Sequence, residues 1–323
     1  MTYIDAYEAA LKGAVYFHQP QTGFLRVAGR DRLDFLQRQT TNDLRLLSAD
    51  RSVSTVLTSP TARISDLFCV VEEGDSLGTV TLPGRFSETA KFLRSRIFFS
   101  DQVTVEDLSG QFAQILLFGP QMVGVLEKLD IQPPKPDHVN RWEIDNQPIT
   151  IIGQKILTDV GYRVLAPITS LDALIAALDG AGVISIDPEN FEILRVEAGQ
   201  PGPAGELVEA YTPLEVGLQG MISDSKGCYT GQEIIARQIT YDKVTKNLVG
   251  IKLNDLAEVG AEIKTGTKSA GLLTSVAQSP RFGPIALGVV RRQYSETGSS
   301  LSIIDTGGST TSGEVVALPF SGA

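Results

Sequence analysis

From about Thr245 to its end the chain loses helical periodicity, and this constrains its fold more than any other feature. Leu248 to Leu253, Ala270 to Ser275, Ile285 to Val290 and Val315 to Leu318 are short apolar runs parted by Gly, Ser and Thr. Such runs bury their backbone polar groups only by pairing edge to edge, so the last third is expected to close as a small β-barrel or sandwich.

Upstream the pattern differs. Helical spacing is read from Asp5 to Gly13, from Asp31 through Leu33, Phe35 and Leu36, from Phe86 to Phe98, from Gln121 to Leu129, from Leu171 to Leu178 and from Asp187-Pro188 to Gly199. Between these lie strand-like runs at Gly23 to Ala28, Val53 to Thr58, Ile64 to Val71 and Leu77 to Leu82, others around Val103 and Ile115, and a hairpin from Trp142 to Ile152. Val53 to Thr58 and Ile64 to Val71 meet across Ser59-Pro60-Thr61-Ala62, a hairpin connection, so the sheets are expected to be mixed rather than doubly wound. The proline-rich run Gln132 to Pro136 reads as a stiff connector, near residues 131–138, between two α/β lobes. Residues 1–240 would then form one region and 241–323 the β-domain.

Composition narrows the function. At 323 residues, 42% hydrophobic and 20% charged, the chain reads as an ordinary folded protein with a sizeable core. A formal net charge of −10 argues against bulk attraction to nucleic acid phosphates. No run approaches the roughly 18 apolar residues of a membrane helix. The opening MTYIDAYEAALKG has acids where a secretory signal carries bases, and Cys69 and Cys228 alone give no disulfide framework, so a reducing, cytoplasmic location is expected. His18 and His138 stand in no metal-ligand spacing with the cysteines, and two thiols fall short of the roughly four that hold an iron–sulfur cluster.

The densest chemical pattern is Lys226-Gly227-Cys228-Tyr229-Thr230-Gly231-Gln232-Glu233, followed by the apolar Ile234, Ile235 and Ala236. Thr230 and Glu233 have capping-box spacing, which would set the Cys228 thiol near a helix N-terminus with the Lys226 ammonium beside it, both favouring thiolate. The same residues also read as a glycine turn around a small packed cysteine.

The octapeptide is preceded by Arg195-Val196-Glu197-Ala198-Gly199, by Gly205-Glu206-Leu207 and by Thr212-Pro213-Leu214-Glu215-Val216-Gly217-Leu218. In this order and spacing they resemble the folate-binding YgfZ family and its relative, the aminomethyltransferase T-protein of the glycine cleavage system. Phe35-Leu36-Gln37 with Thr40-Thr41-Asn42-Asp43-Leu44, and Ala286-Leu287-Gly288 with Arg291-Arg292, extend the resemblance over nearly the whole chain. It implies an α+β, three-lobed GcvT-like fold with mixed sheets and a carboxy-terminal β-barrel around tetrahydrofolate or a derivative.

Glu197 is then implied as the pterin-binding carboxylate, able to accept two adjacent N–H donors. Arg237 and Lys226 are the basic candidates for the anionic tail, and Tyr229, Gln232 and Glu233 adjoin the same site. T-proteins carry paired aspartates where this chain reads Arg63-Ile64-Ser65-Asp66-Leu67, so Ser65 replaces the first and Asp66 is the remaining catalytic candidate. Cys69 reads as a core residue.

Three functions follow. The leading one is a folate-binding accessory factor for assembly or repair of iron–sulfur proteins, with those proteins as partners and Cys228 as functional thiol. The second is a folate-dependent aminomethyltransferase of one-carbon metabolism using Asp66. The third is a cysteine-nucleophile enzyme in which His18 or His138 activates Cys228.

Overall fold

The computed structural model describes residues 3–19 and 21–321. Its elements run α1 (Tyr3–Lys12), β1 (Val15–His18), β2 (Phe24–Ala28), α2 (Arg32–Gln39), β3 (Val53–Thr58), β4 (Ile64–Glu73), β5 (Ser76–Val80), α3 (Phe86–Ser95), β6 (Thr104–Asp107), β7 (Phe112–Phe118) and α4 (Met122–Lys128). They continue with β8 (Val139–Ile144), β9 (Gln147–Ile156), β10 (Asp159–Pro167), α5 (Leu171–Gly180), β11 (Ile184–Ser185), α6 (Pro188–Glu197) and α7 (Gln232–Thr240). The last third holds β12 (Lys246–Leu253), β13 (Glu262–Thr265), β14 (Lys268–Ser279), β15 (Gly283–Arg291), β16 (Ser300–Ile304) and β17 (Thr310–Val316).

The chain divides into two compact units, and neither breaks at residue 240. The first takes the chain up to Thr58, Ser65–Asn190 and Met221–Thr230; the second takes Ser59–Ile64, Phe191–Gly220 and everything from Gly231.

The first unit is built on two sheets. One has strand order β3-β4-β5-β2-β6, the other β11-β1-β7-β10-β9-β8. The single pairing of β1 with β11 is parallel and β1, β7, β10, β9 and β8 pair antiparallel, so the sheet is mixed as the hairpins imply. Helices α2 and α3 cover the first sheet: Phe35, Leu36, Leu93 and Phe68 share one core with Leu25 and Leu57. Each fully buried side chain of that size contributes about 1.5–3 kcal/mol. Cys69 lies in a separate apolar cluster with Phe24, Val71, Ile152 and Leu165, in keeping with a core role.

Local chemistry explains most boundaries. Asp187 accepts the Asn190 backbone N–H at 2.8 Å where Pro188 opens α6, and Gly199 (φ +66°) follows its end. The β8–β9 hairpin turns on Asp145 and Asn146, both at positive φ, the geometry of a tight two-residue turn.

Two expectations need correction. α1 already holds Tyr3 and Ile4, so Asp5 lies within the helix and not at its start. The segment near residues 131–138 is not a boundary, because β8 after it joins the sheet that holds β1 and β7. Asp137 N–H bonds the Gly153 carbonyl at 2.8 Å and Gly153 N–H bonds the His138 carbonyl at 2.9 Å, so the proline run lies packed along a strand. A Cβ at Gly153 would come within 2.3 Å of the Lys135 oxygen, which leaves room there only for glycine. Proline stiffness suits a packed edge as well as a spacer.

The second unit centres on a closed six-stranded barrel of order β12-β15-β14-β13-β16-β17. Closure removes free edges, and Ile251, Ile263, Ala286, Val290 and Ile303 fill the interior.

Candidate functional site

In the first unit the site is the segment Met221–Thr230, held on the end of α2. Helix α2 ends with carbonyls that have no partner within the helix. Lys226 Nζ meets one of them, the Gln37 carbonyl oxygen (2.9 Å), and donates as well to the carbonyl oxygens of Thr40 (2.7 Å) and Asn42 (2.6 Å) just beyond the helix. Thr41 Oγ1 donates to the Met221 carbonyl at 2.7 Å, Thr230 N–H donates to the Arg38 carbonyl at 3.0 Å, and Thr58 Oγ1 donates to the Thr230 carbonyl at 2.6 Å. The run from Gln37 to Asn42 is therefore a receptor for the lysine segment.

Lys226 is buried, and burial pulls its ammonium down to about 8, against an opposing pull from Asp43. Its Nζ also lies 5.2 Å from the centre of the Tyr229 ring, whose phenol burial pushes up to about 12. Among these pinned neighbours the Cys228 thiol is exposed.

The expected helix cap is corrected by the structure. Gly231, at φ +85°, is the residue before α7, with no side-chain cap bond. Thr230 instead places its backbone N–H and carbonyl on Arg38 and Thr58, so the capping box does not form. Lys226, likewise, directs its ammonium to the three carbonyls of α2 and its flank. Neither His18, in β1, nor His138, whose Nδ1 is 3.1 Å from the Pro136 oxygen, hydrogen-bonds Cys228 among the described residues.

Asp66, the catalytic candidate, is wholly buried in β4. Its Oδ1 accepts the backbone N–H of Leu67 (2.8 Å) and Leu82 (3.0 Å), and its Oδ2 accepts the Thr89 hydroxyl at 2.5 Å. Burial raises its carboxyl to about 6 despite these bonds. The side chain pins α3 and the segment after β5 to β4. Ser65 is only half-buried, and its carbonyl accepts from Arg85 at 2.7 Å.

In the second unit the site lies around Glu197, the last residue of α6, which is buried. Its Oε1 accepts the Ser279 hydroxyl at 2.5 Å, its Oε2 lies 3.8 Å from an Arg281 nitrogen, and its carbonyl accepts the Phe320 N–H at 2.8 Å. Ser279 Oγ in turn accepts the N–H groups of Arg281 (3.0 Å) and Phe282 (2.9 Å), fixing the turn between β14 and β15. Arg281, Phe282, Lys252 and Phe320 line a cavity of about 390 Å³ at that end of the barrel.

The neighbouring motifs hold the segments that follow α6. Arg195 bonds Glu192, the Gln200 carbonyl, Glu206 and Ser275, while Glu206 accepts the Gly202 N–H at 2.7 Å and the Ser275 hydroxyl at 2.8 Å. Thr212 and Glu215 form a capping box, and Glu215 Oε1 also accepts from Thr245 at 2.9 Å. Gln232 opens α7, and Arg237 pairs with Glu233 one turn away at 2.7 Å, both on the exposed face. Such a surface pair is worth only about 0.3–0.5 kcal/mol.

Ser279 and Arg281 are not legible in the sequence as site residues. They stand more than 80 residues beyond Glu197 in a glycine- and serine-rich strand register, with no motif of their own. The receptor role of Gln37, Thr40 and Asn42 did carry a signal, since the same run supported the family resemblance.

Two sheets in one unit and a closed six-stranded barrel in the other, with Arg195, Glu197, Glu206 and Glu215 tying the preceding loops to the barrel, define the GcvT-like fold. The GCVT N-terminal domain model matches residues 3–226 and the glycine cleavage T-protein C-terminal barrel domain model matches residues 246–321, so the chain belongs to this family. It is 30% identical to a chloroplastic Arabidopsis thaliana protein named as a suspected transferase, over 98% of this chain and 73% of that one. To the aminomethyltransferase of Bacillus subtilis (strain 168) it is 24% identical, over 92% of this chain and 85% of that one. The glycine cleavage system aminomethyltransferase T of Bartonella henselae superposes with a TM-score of 0.86 over 99% of this chain and 89% of that one, at 20% identity, a likeness of fold. No helix among the described residues is long and apolar enough to cross a membrane.

Proposed function

We propose that this protein binds tetrahydrofolate or a derivative and acts as a YgfZ-type accessory factor in assembly or repair of iron–sulfur proteins, with Cys228 as its functional thiol. The observation that carries this reading is an exposed thiol on a segment whose flanking Lys226, Tyr229 and Thr230 are pinned. A thiol fixed in place and open to solvent is suited to meeting a group on another protein. One thiolate does not cage a cluster, but it completes one shared with a partner or captures an oxidant.

Folate is supported by the family and by the chemistry of Glu197. A carboxylate held by Ser279 at the end of a helix suits the paired N–H donors of a reduced pterin. Arg281 and Lys252 add positive charge nearby, for the anionic part of such a ligand. When bound, a reduced folate supplies a carrier for one-carbon units.

The aminomethyltransferase reading is favoured by the names of the relatives. Against it stand Ser65 in place of the first aspartate and the burial of Asp66. Turnover of a lipoyl-linked aminomethyl donor separates the two: the accessory-factor reading expects tetrahydrofolate binding without it. The cytoplasm is the proposed compartment, and the chloroplast named for one relative is the alternative.

A further inference from the structure

Beyond the end of α3 the chain exposes two adjacent phenylalanines, Phe98 at 64% and Phe99 completely. They are held there by a tight turn: Asp101 N–H donates to the Phe98 carbonyl at 3.0 Å, and Phe98 N–H donates to Asp101 Oδ2 at 2.9 Å. An exposed, rigid aromatic pair is costly in water and is the usual anchor of a protein interface.

The surroundings are cationic although the chain carries −10 overall. Lys91, Arg94 and Arg96 lie exposed along the end of α3, and none is in an ion pair among the described residues. Arg96 covers Phe92 at 4.8 Å, and Arg38 lies 5.7 Å from the Phe98 ring centre. The one acid in the turn, Asp101, is already taken by Arg38 at 2.7 Å.

Arg38 also links this surface to the thiol. Its backbone carbonyl accepts the Thr230 N–H, two residues after Cys228. Both features thus rest on the last turn of α2 within one compact unit.

We infer that Phe98 and Phe99, with Arg38 beside Phe98 and the exposed Lys91, Arg94 and Arg96 on the α3 segment that leads into them, form the docking surface for an acidic partner protein, which brings its own sulfur-bearing group to Cys228. The aromatic pair anchors the partner and the cations select its charge. This deepens the reading of Cys228 as a functional thiol and rests on it, whereas the docking chemistry can be measured separately.

The test uses the full chain and two peptides of equal length, each carrying a pyridyl disulfide: one acidic and amphipathic, the other its charge-reversed copy. The Cys228 thiolate attacks the peptide sulfur, a protein–peptide disulfide forms, and pyridine-2-thione leaves with the electron pair and takes up a proton. At low salt the acidic peptide is expected to react at least ~10-fold faster than the reversed one. Phe98→Ser with Phe99→Ser, and separately Lys91→Glu with Arg96→Glu, should remove that preference while the rate with neutral dipyridyl disulfide stays unchanged. Cys228→Ser should give no adduct. Equal rates for the two peptides in the unmodified protein, or an undiminished preference in both double variants, would overturn the docking surface. A preserved preference together with full support of iron–sulfur enzymes by Cys228→Ala would instead overturn the function proposed for the thiol.

Discussion

The Lys226 ammonium sits 2.6 Å from the carbonyl oxygen of Asn42, with the carbonyls of Gln37 and Thr40 completing its cradle. The lysine of the thiol segment is thus a fastener. It closes the open end of α2 and positions the exposed Cys228 two residues on. The charge expected to stabilise a thiolate is directed at the carbonyls at and just beyond the end of α2.

Replacing Lys226 by Met should therefore cost stability. Three carbonyls, two of them in buried contacts, would lose their donor, and an unsatisfied buried group costs roughly 1–3 kcal/mol. Urea unfolding at pH 7 should show a loss of at least that order. Unchanged stability would mean that water replaces the ammonium without penalty.

Asp66 gives a pH-dependent expectation. Below about pH 4 its carboxyl is protonated in the folded and unfolded chains alike. Between about 4 and 6 the folded chain keeps the proton, because burial raises the carboxyl to about 6, while the unfolded chain loses it. The contribution of this group is therefore complete below pH 4 and is lost as pH rises through 6, by about 3 kcal/mol at most. Asp66→Asn keeps an acceptor for Leu67 and Leu82 and should flatten that part of the stability profile. A variant whose unfolding midpoint tracks the parent from pH 4 to 7 would contradict this.

A glycine in the quoted motifs makes a steric expectation. A Cβ on Gly205 would fall 2.2 Å from the Thr274 carbonyl oxygen, a backbone atom that cannot swing aside. Gly205→Ala should destabilise the second unit by about 1–3 kcal/mol, the usual cost of overpacking. Thermal unfolding is the check, and a variant as stable as the parent would show that the loop relocates freely.

Much of this architecture could be read from the chain because its local signals agree with the final fold. Asp187-Pro188 opens α6, Gly199 closes it, and Asp145-Asn146 turns a hairpin, each by chemistry confined to a few residues. The loss of periodicity after Thr245 marked the barrel, although the short β13 and β16 left no apolar run long enough to see. What could not be read depended on distant partners. Thr230 has capping spacing, yet Arg38 and Thr58 take its backbone groups. Glu197 stood out by its motif, but Ser279 and Arg281 reach it only through barrel closure.

Cys228→Ala should leave the fold and tetrahydrofolate binding unaltered, since the side chain is exposed and the segment is held by its neighbours. In cells it should abolish support of iron–sulfur enzyme activity. Full activity with the variant would remove the thiol from the proposed function.

The most direct measurement is calorimetric titration of tetrahydrofolate into the protein and into Glu197→Gln. The substitution keeps an oxygen for Ser279 and removes the charge that a pterin's N–H donors require. A charge-assisted hydrogen bond is worth about 1.5–3 kcal/mol, so saturable binding is expected in the parent and about 10-fold or greater weakening in the variant. Absence of heat for any reduced folate in the folded parent, or equal affinity in the two proteins, would contradict the assignment of Glu197 to a folate site.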